Sequence, residues 1–426
     1  MVPGTASATR LKRAPVGAAP ERGAALAREM GDATMTKLAV FCDGTWNDME
    51  IPETTHVCEL FGATGTPYDA PAGNPDMRTA PGQISAYFPG VGTEGDFATI
   101  IGQTINKYGG GAFGWGLNQR IKEAYAWLAR QYKPGDEIFI FGFSRGAYTA
   151  RSLAGMIRKA GFPSDVTRGS VNRAFRLYKE PGKNNAPDKP HILEARRRLS
   201  PGFATSPEDL SWRKSLGDDG SALVHIAYLG IWDTVGALGI PQRIAGSLDK
   251  IINFRHEFHD TELSSLIGSA RHAVSVDERR AFYPPALWEN LGELSSKVGQ
   301  GADDIRPDRR YQQMWFAGDH GTIGGSGIDG ELKKVSAVTL QWVLEGAVNA
   351  GLWLDPAVQI PDVAPDPTAA TDVLSNTDLD KTPSRFLEWR KQLKKPYALS
   401  PTVDARTAAR PDYRPQSLKT VRPDLF

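Results

Sequence analysis

The chain of 426 residues balances 50 lysines and arginines against 49 aspartates and glutamates, and 40% of its residues are hydrophobic. That composition suits a globular protein with a sizeable core, and it lacks the basic excess of a general nucleic-acid or membrane-surface binder. No run approaches the ~18 apolar residues of a spanning helix, and two cysteines, Cys42 and Cys58, make no disulfide framework. No nucleic-acid partner and no transmembrane segment are therefore expected. Basic residues cluster only locally, in "EARRRL" and "RKQLKK", and a solvated helix face accommodates both runs.

The first 35 residues are rich in Ala, Gly, Arg and Pro and contain no continuous apolar h-region. They fit a disordered extension, or sequence ahead of a true start at Met35, and not a secretory signal, so a cytoplasmic location is expected. Four apolar segments then end in small polar motifs: "KLAVFCDGTWND" (37–48), "DEIFIFGFSRG" (136–146), "LVHIAYLGIWDTVG" (223–236) and "YQQMWFAGDHGTIGG" (311–325). A shorter run, "RHAVSVDERR" (271–280), has the same character. Continuous apolar runs of this length suit strands buried on both faces of a parallel sheet. Leu117, Ile121, Tyr125, Leu128 and Tyr132 recur at helical spacing before the second run, and residues 146–160 continue in helical pattern behind it. Residues 333–350 predict a further helix, closed near Gly351. Strand and helix patterns alternate, which predicts an α/β fold with a mostly parallel central sheet covered by helices on both faces.

Residues 36–360 hold this pattern as one domain. Within it 162–222 is less regular and carries the solvated stretch "KEPGKNNAPDKP". It is expected to form a lid-like insertion, with Phe175 and Leu177 available to an apolar group. Residues 361–426, with "DVAPDPTAATD" and a Pro/Arg-rich end, are expected to form an irregular C-terminal segment.

In "FGFSRGAYTAR" Ser144 stands between Gly142 and Gly146, behind the strand "EIFIF" and ahead of a helix. A strand, a sharp glycine-flanked turn and a helix are what a nucleophilic serine elbow requires, and the helix N-terminus favours developing negative charge beside it. Glycine-flanked serines also occur in ordinary turns, so the partners matter.

Serine needs a base, normally a histidine oriented by a carboxylate. In α/β-hydrolases the order is Ser, acid, His, which excludes His56. His225 lies within a strand pattern and reads as a core residue, His191 sits in the insertion and His272 opens a short strand. His256 and His259 have metal-like i, i+3 spacing but no third ligand nearby, and no metal or cofactor is expected. His320 follows the last apolar run and opens the Gly-rich stretch "HGTIGGSG", which predicts a loop able to bring its imidazole over the serine. Asp233 ends a strand at the edge where open α/β sheets bind ligands, with Asp277, in "SVDERR", as the alternative acid. Asp319 adjoins His320 and would point away from it. An oxyanion hole would draw on the Arg145 backbone N–H and on the loop after the first strand, where Gly44 and Thr45 bring an N–H close and Asp43 either braces the turn, the favoured reading, or touches substrate. "GVGTEG" and "YGGGAFGWG" match no phosphate loop.

With these motifs in place the sequence resembles the α/β-hydrolase family, formerly a domain of unknown function, that supplies the catalytic domain of type VI secretion phospholipase effectors. The resemblance rests on "LAVFCDGTWND", "YFPGVGT", "GDEIFIFGFSRGAYTARSLAGMI", "GIWDTVGALG", "HAVSVDERRAFYPPALW" and "WFAGDHGTIGG". These run in family order over about 37–330, with a weaker echo at "YRP" (413–415). It implies a triad of Ser144, Asp233 and His320, hydrolysis of carboxylic esters through an acyl-enzyme, and lipid esters as substrates of a phospholipase or lipase. Delivery by type VI secretion is implied by resemblance alone, and its partner is not named by the sequence. The alternatives are a non-phospholipid esterase, thioesterase or amidase, and a non-catalytic binding module with the hydrolase fold.

Overall fold

The computed structural model describes residues 35–426 except 46, 48, 50–53, 92–110, 237–261, 282, 302–305, 307–308, 327–329, 359–383, 385–386 and 394–397. The expected N-terminal extension, His256 and His259 therefore lie outside the described residues. Thr36–Phe426 is one compact unit.

The strands are β1 (Lys37–Cys42), β2 (Thr66–Tyr68), β3 (Asp76–Ala80), β4 (Gln83–Phe88), β5 (Glu137–Phe143), β6 (Phe203–Ala204), β7 (Ala222–Leu223), β8 (Ile226–Trp232), β9 (Ile267–Ser275) and β10 (Tyr311–Phe316). The helices are α1 (His56–Gly62), α2 (Gly111–Gln131), α3 (Arg145–Ala160), α4 (Arg168–Lys179), α5 (Pro190–Leu199), α6 (Pro207–Ser215), α7 (Leu291–Lys297), α8 (His320–Gly324), α9 (Gly330–Asn349) and α10 (Pro401–Ala409). The main sheet runs β10-β9-β8-β5-β1-β4-β3-β2. It is parallel from β10 to β4 and antiparallel at the β3 and β2 edge. Strand order reverses between β1 and β5, and ligand crevices of open α/β sheets form outside such a switch point.

Side chains alternate across each strand, so β1 feeds two cores. Leu38, Val40 and Cys42 join Ile138, Ile140, Leu229 and Ile231 under α2 and α3. Ala39 and Phe41 join Phe139, Phe141, Tyr228 and Trp232 under α1 and α9. The expected stripe on α2, Leu117, Ile121, Tyr125 and Leu128, is buried in the first core together with Tyr132 beyond it. Leu340, Val343 and Ala347 of α9 are buried in the second.

Segment 162–222 packs on the C-terminal end of α3, where Arg158 pairs with Asp188 at 2.6 Å and Ser200 accepts from the Phe162 amide at 2.9 Å. Phe203 packs edge-on against Tyr132 and Phe162. A helix of 16 residues separates those contacts from Ser144 by roughly 20 Å at 1.5 Å per residue. Leu177 is buried in the core and Phe175 packs half-buried against it. These contacts tie the segment to the end of α3 away from Ser144. "EARRRL" is not all solvated, since Arg196 and Arg213 share the carboxylate of Asp209 at 2.8 and 3.0 Å with all three side chains fully buried. Asp209→Asn strands two buried guanidinium groups and should cost about 3–5 kcal/mol of stability by urea unfolding, with ester chain-length preference unchanged. Altered preference at unaltered stability would support the lid reading.

The described part of the C-terminal segment packs on the edge of the sheet. Trp315 of edge strand β10 donates to Ala398 and accepts from Ser400, which covers an exposed row of backbone groups. Leu393, Val403, Leu418 and Val421 form a third core with Val274, Val276 and Trp315.

Candidate active site

Four strand ends meet at the switch point. β5 ends at Phe143, α3 starts at Arg145, and Ser144 between them takes φ 57°, ψ −120°. A non-glycine residue held there stores about 1–3 kcal/mol of strain and persists only when its surroundings impose it. They do: the Ser144 amide donates to the Trp232 carbonyl at 3.0 Å. A Cβ on Gly142 would lie 2.5 Å from the Gly146 oxygen, and one on Gly146 would lie 2.1 Å from the Cys42 oxygen. Both flanking glycines are thus required by close backbone approach.

Asp233 follows β8 and also carries a positive φ, 36°. Its amide donates to Ala273 at 2.8 Å, and the next amide, Thr234, donates to His272 Nε2 at 3.2 Å. Fully buried, its Oδ2 lies 2.6 Å from His320 Nδ1, and His320 Nε2 lies 2.8 Å from Ser144 Oγ. A carboxylate only accepts, so Nδ1 carries the proton and Nε2 faces the serine hydroxyl as acceptor. Burial alone would raise the pKa of Asp233. The Arg390 guanidinium and the hydrogen bond from His320 outweigh it and hold the carboxyl well below the usual range.

His320 is not on a loop. It opens the short helix α8, capped by Asp319, whose Oδ1 accepts from the Thr322 amide at 2.9 Å. Glu278 accepts the His320 amide at 3.2 Å. The ring lies between Tyr283, stacked at 4.7 Å and 10°, and Phe143, tilted at 4.8 Å. The glycines that suggested a loop serve packing, since a Cβ on Gly324 would fall 2.1 Å from the Phe143 ring.

Asp277 does not reach the imidazole. It accepts from the Gly318 amide at 2.6 Å and from the Tyr413 hydroxyl at 2.9 Å, and burial pushes its pKa up to about 6. The alternative acid is therefore a tie between β9, β10 and the C-terminal segment.

The loop after β1 is pinned by Asp43. Its Oδ2 accepts from Thr55 and Tyr87, both at 2.6 Å, and its Oδ1 accepts from the Gly44 amide at 2.6 Å. These bonds tie the loop to α1 and β4 and take up the Gly44 N–H. Thr45 is buried behind it, and Arg145 opens α3 directly after Ser144. A cleft beside this loop is lined by Phe88, Pro89, Val91, Leu117, Arg120 and Arg145.

Of the other histidines, His225 precedes β8 and is exposed rather than core. His191 is exposed and meets Asn185. His56 is buried and bonds Ser336 of α9. His272 is buried between Thr234 and Gln313. Burial, then the nearby charge of Arg151, pushes its pKa down to about 3. A folded pKa below the unfolded ~6.5 means that the unfolded chain binds the extra proton between those values. This group's contribution is complete above ~6.5 and declines as pH falls toward the folded value. Between pH 6.5 and 5 the wild type should lose about 2 kcal/mol more stability than His272→Gln; equal losses in urea unfolding would show that His272 is not held neutral.

Among described residues no group of three or more His, Cys, Asp or Glu has the arrangement of a metal site, and no helix is long and apolar enough to cross a membrane. Sequence reasoning missed Arg390, Tyr283 and Glu278 around the His–Asp pair. "SVDERRAFYPP" held the last two in view; Arg390 was hidden in the charged run "RKQLKK".

A serine elbow at the switch point of a mostly parallel sheet, hydrogen-bonded to a histidine and a buried aspartate, defines an α/β-hydrolase-like protein. Residues 36–346 match the family described as T6SS, Phospholipase effector Tle1-like, catalytic domain, and the chain belongs to that family. It is 31% identical over 205 residues to an uncharacterized protein of Saccharomyces cerevisiae, a match covering 46% of this chain and 26% of the relative. The match thus spans about a quarter of that relative's length. Among solved structures, an uncharacterized protein from Pseudomonas aeruginosa is 16% identical with TM-score 0.37, covering 78% of this chain and 48% of the other. A Tle1 effector bound to the VgrG spike of the type 6 secretion system is 14% identical with TM-score 0.35, covering 77% and 76%.

Proposed function

We propose that the protein is a serine hydrolase that cleaves carboxylic esters through an acyl-enzyme, with lipid esters, phospholipids among them, as its substrates. The observation that carries this reading is the unbroken chain Ser144 Oγ, His320 Nε2, His320 Nδ1, Asp233 Oδ2, with separations of 2.8 and 2.6 Å. Ser144 Oγ attacks the ester carbonyl while His320 Nε2 takes its proton, and Asp233 holds the imidazole in the required tautomer. The amides of Arg145 and Thr45, with the N-terminus of α3, receive the oxyanion. His320 then returns the proton to the leaving alcohol, and water repeats the sequence on the acyl-enzyme.

Membership of a phospholipase effector family supports lipid esters as the substrate class. Family membership makes delivery by a type VI secretion spike the candidate route. The test is a panel of p-nitrophenyl esters of graded chain length beside anionic and zwitterionic phospholipid vesicles, with Ser144→Ala as blank. The expected result is Ser144-dependent release of acid, stronger for longer chains and undiminished by chelator, since each proton and charge in the cycle has a protein group to receive it. Turnover confined to thioesters or amides would replace the ester reading.

A further inference from the structure

We propose that Arg390, from the C-terminal segment, is a positioning residue of the reaction: it fixes Asp233 in the one orientation that presents Oδ2 to His320. The proposal rests on the reading of Ser144, His320 and Asp233 given above. Arg390 lies beyond residues 36–346 matched by the family, so it gives the C-terminal segment a part in the active site.

The geometry is specific. Arg390 Nη1 meets Asp233 Oδ1 at 2.6 Å and Nη2 meets Oδ2 at 2.8 Å, a two-pronged pair in which both side chains are buried. A planar fork matched to a carboxylate fixes the carboxylate plane, which a point-charge ammonium does not. Without it, Asp233 would keep the Ser275 amide on Oδ1 and His320 on Oδ2, leaving more freedom to turn about its own axis. The guanidinium is itself held by the carbonyls of Ser275, at 3.1 Å, and Tyr283, at 2.8 Å. Tyr283 is the residue stacked on the imidazole. One guanidinium thus anchors both the acid beneath the ring and the backbone of the residue on its face.

The segment carrying Arg390 is fastened on either side of it. The Glu388 amide donates to Arg279, Leu387 bridges Arg280, and Leu393 is buried in the third core. The charge also matters. His320 is faced by Asp233 below, Glu278 at its amide, the Glu278 partner Arg280, Asp319 at the cap of α8, Arg145 across the site near Tyr283, and Arg390 behind Asp233. Removing the Arg390 charge leaves Asp233 uncompensated and makes protonation of the imidazole easier.

The experiment compares wild type, Arg390→Ala and Arg390→Lys in the full chain, with Ser144→Ala beside them. It reads p-nitrophenyl ester kinetics, the pH profile of kcat/KM, and the rate at which a fluorophosphonate labels Ser144. For Arg390→Ala the proposal expects kcat and labelling rate to fall ~10²-fold at little change in KM, the cost of misplacing a reacting group by about 1 Å. The low-pH limb should move upward, and millimolar guanidinium should restore part of the rate. Arg390→Lys keeps the charge and loses the fork, so its limb should stay in place while kcat falls. If Arg390→Ala does not fold, Arg390→Lys decides. Wild-type kcat in Arg390→Lys, or a loss in Arg390→Ala with no movement of the limb and no rescue, overturns the proposal and leaves Arg390 a packing residue. Retained turnover and labelling in Ser144→Ala would instead overturn the reading of the site itself.

Discussion

Ser144→Ala should lower kcat by on the order of 10⁴–10⁶, the range found when a triad nucleophile is removed, while the urea midpoint stays close to that of the wild type. The loss is large because, among the described residues, Ser144 is the hydroxyl that meets His320 Nε2, while Nδ1 meets Asp233. The fold survives because one oxygen is deleted from a turn whose shape is set by Gly142, Gly146 and the amide bond to Trp232. Alanine retains the strained φ of 57°, so stability neither gains nor loses much. A variant retaining more than about a tenth of the wild-type rate, far outside the triad range, would remove Ser144 from the nucleophile's role.

The second large effect belongs to the acid. Asp233→Asn should lower kcat by on the order of 10⁴, because an amide can donate to Nδ1 and favours the tautomer with its proton on Nε2. Here the substitution also deprives buried Arg390 of its counter-charge, and leaving one partner of a buried pair alone costs about 3–5 kcal/mol. The variant should therefore be less stable as well as slow, and activity has to be scored on the folded fraction. Asp277→Asn should leave kcat within a few-fold, since Asp277 serves Gly318 and Tyr413 rather than the imidazole. The opposite ranking of the two variants would transfer the role to Asp277.

Much of the architecture was legible because it is written locally. Apolar runs ending in small polar motifs marked β1, β5, β8 and β10, and the spacing of Leu117, Ile121 and Tyr125 marked α2. The elbow was legible for a steric reason: only glycine tolerates 2.1 and 2.5 Å approaches of backbone oxygen to where a Cβ would stand. His320 and Asp233 could be nominated by chain order and strand ends, but nothing local separated Asp233 from Asp277. Both end strands, and only the packing of α8 decides which carboxylate the imidazole meets.

What was not legible depends on long-range pairing. Arg390 bonds a residue 157 positions away, and such a contact leaves no periodic trace, so a charged run looked like a solvated face. Arg196 in "EARRRL" was misread for the same reason. The Gly44 amide looked free because the partner that takes it, the side chain of Asp43, is declared by loop geometry and not by residue type. Segment 162–222 reads as lid-like because its loop is polar and irregular. Its buried Asp209 and the docking of Phe203 on Tyr132 and Phe162 place it at the other end of α3.

The most direct test of the central claim is to treat the protein with a fluorophosphonate, digest it, and locate the adduct by mass spectrometry. The account predicts one phosphonyl group per chain, on the peptide containing Ser144, with labelling that slows sharply in His320→Ala and is absent in Ser144→Ala. Label on a different residue, or no label in a protein that still turns over esters, would contradict it.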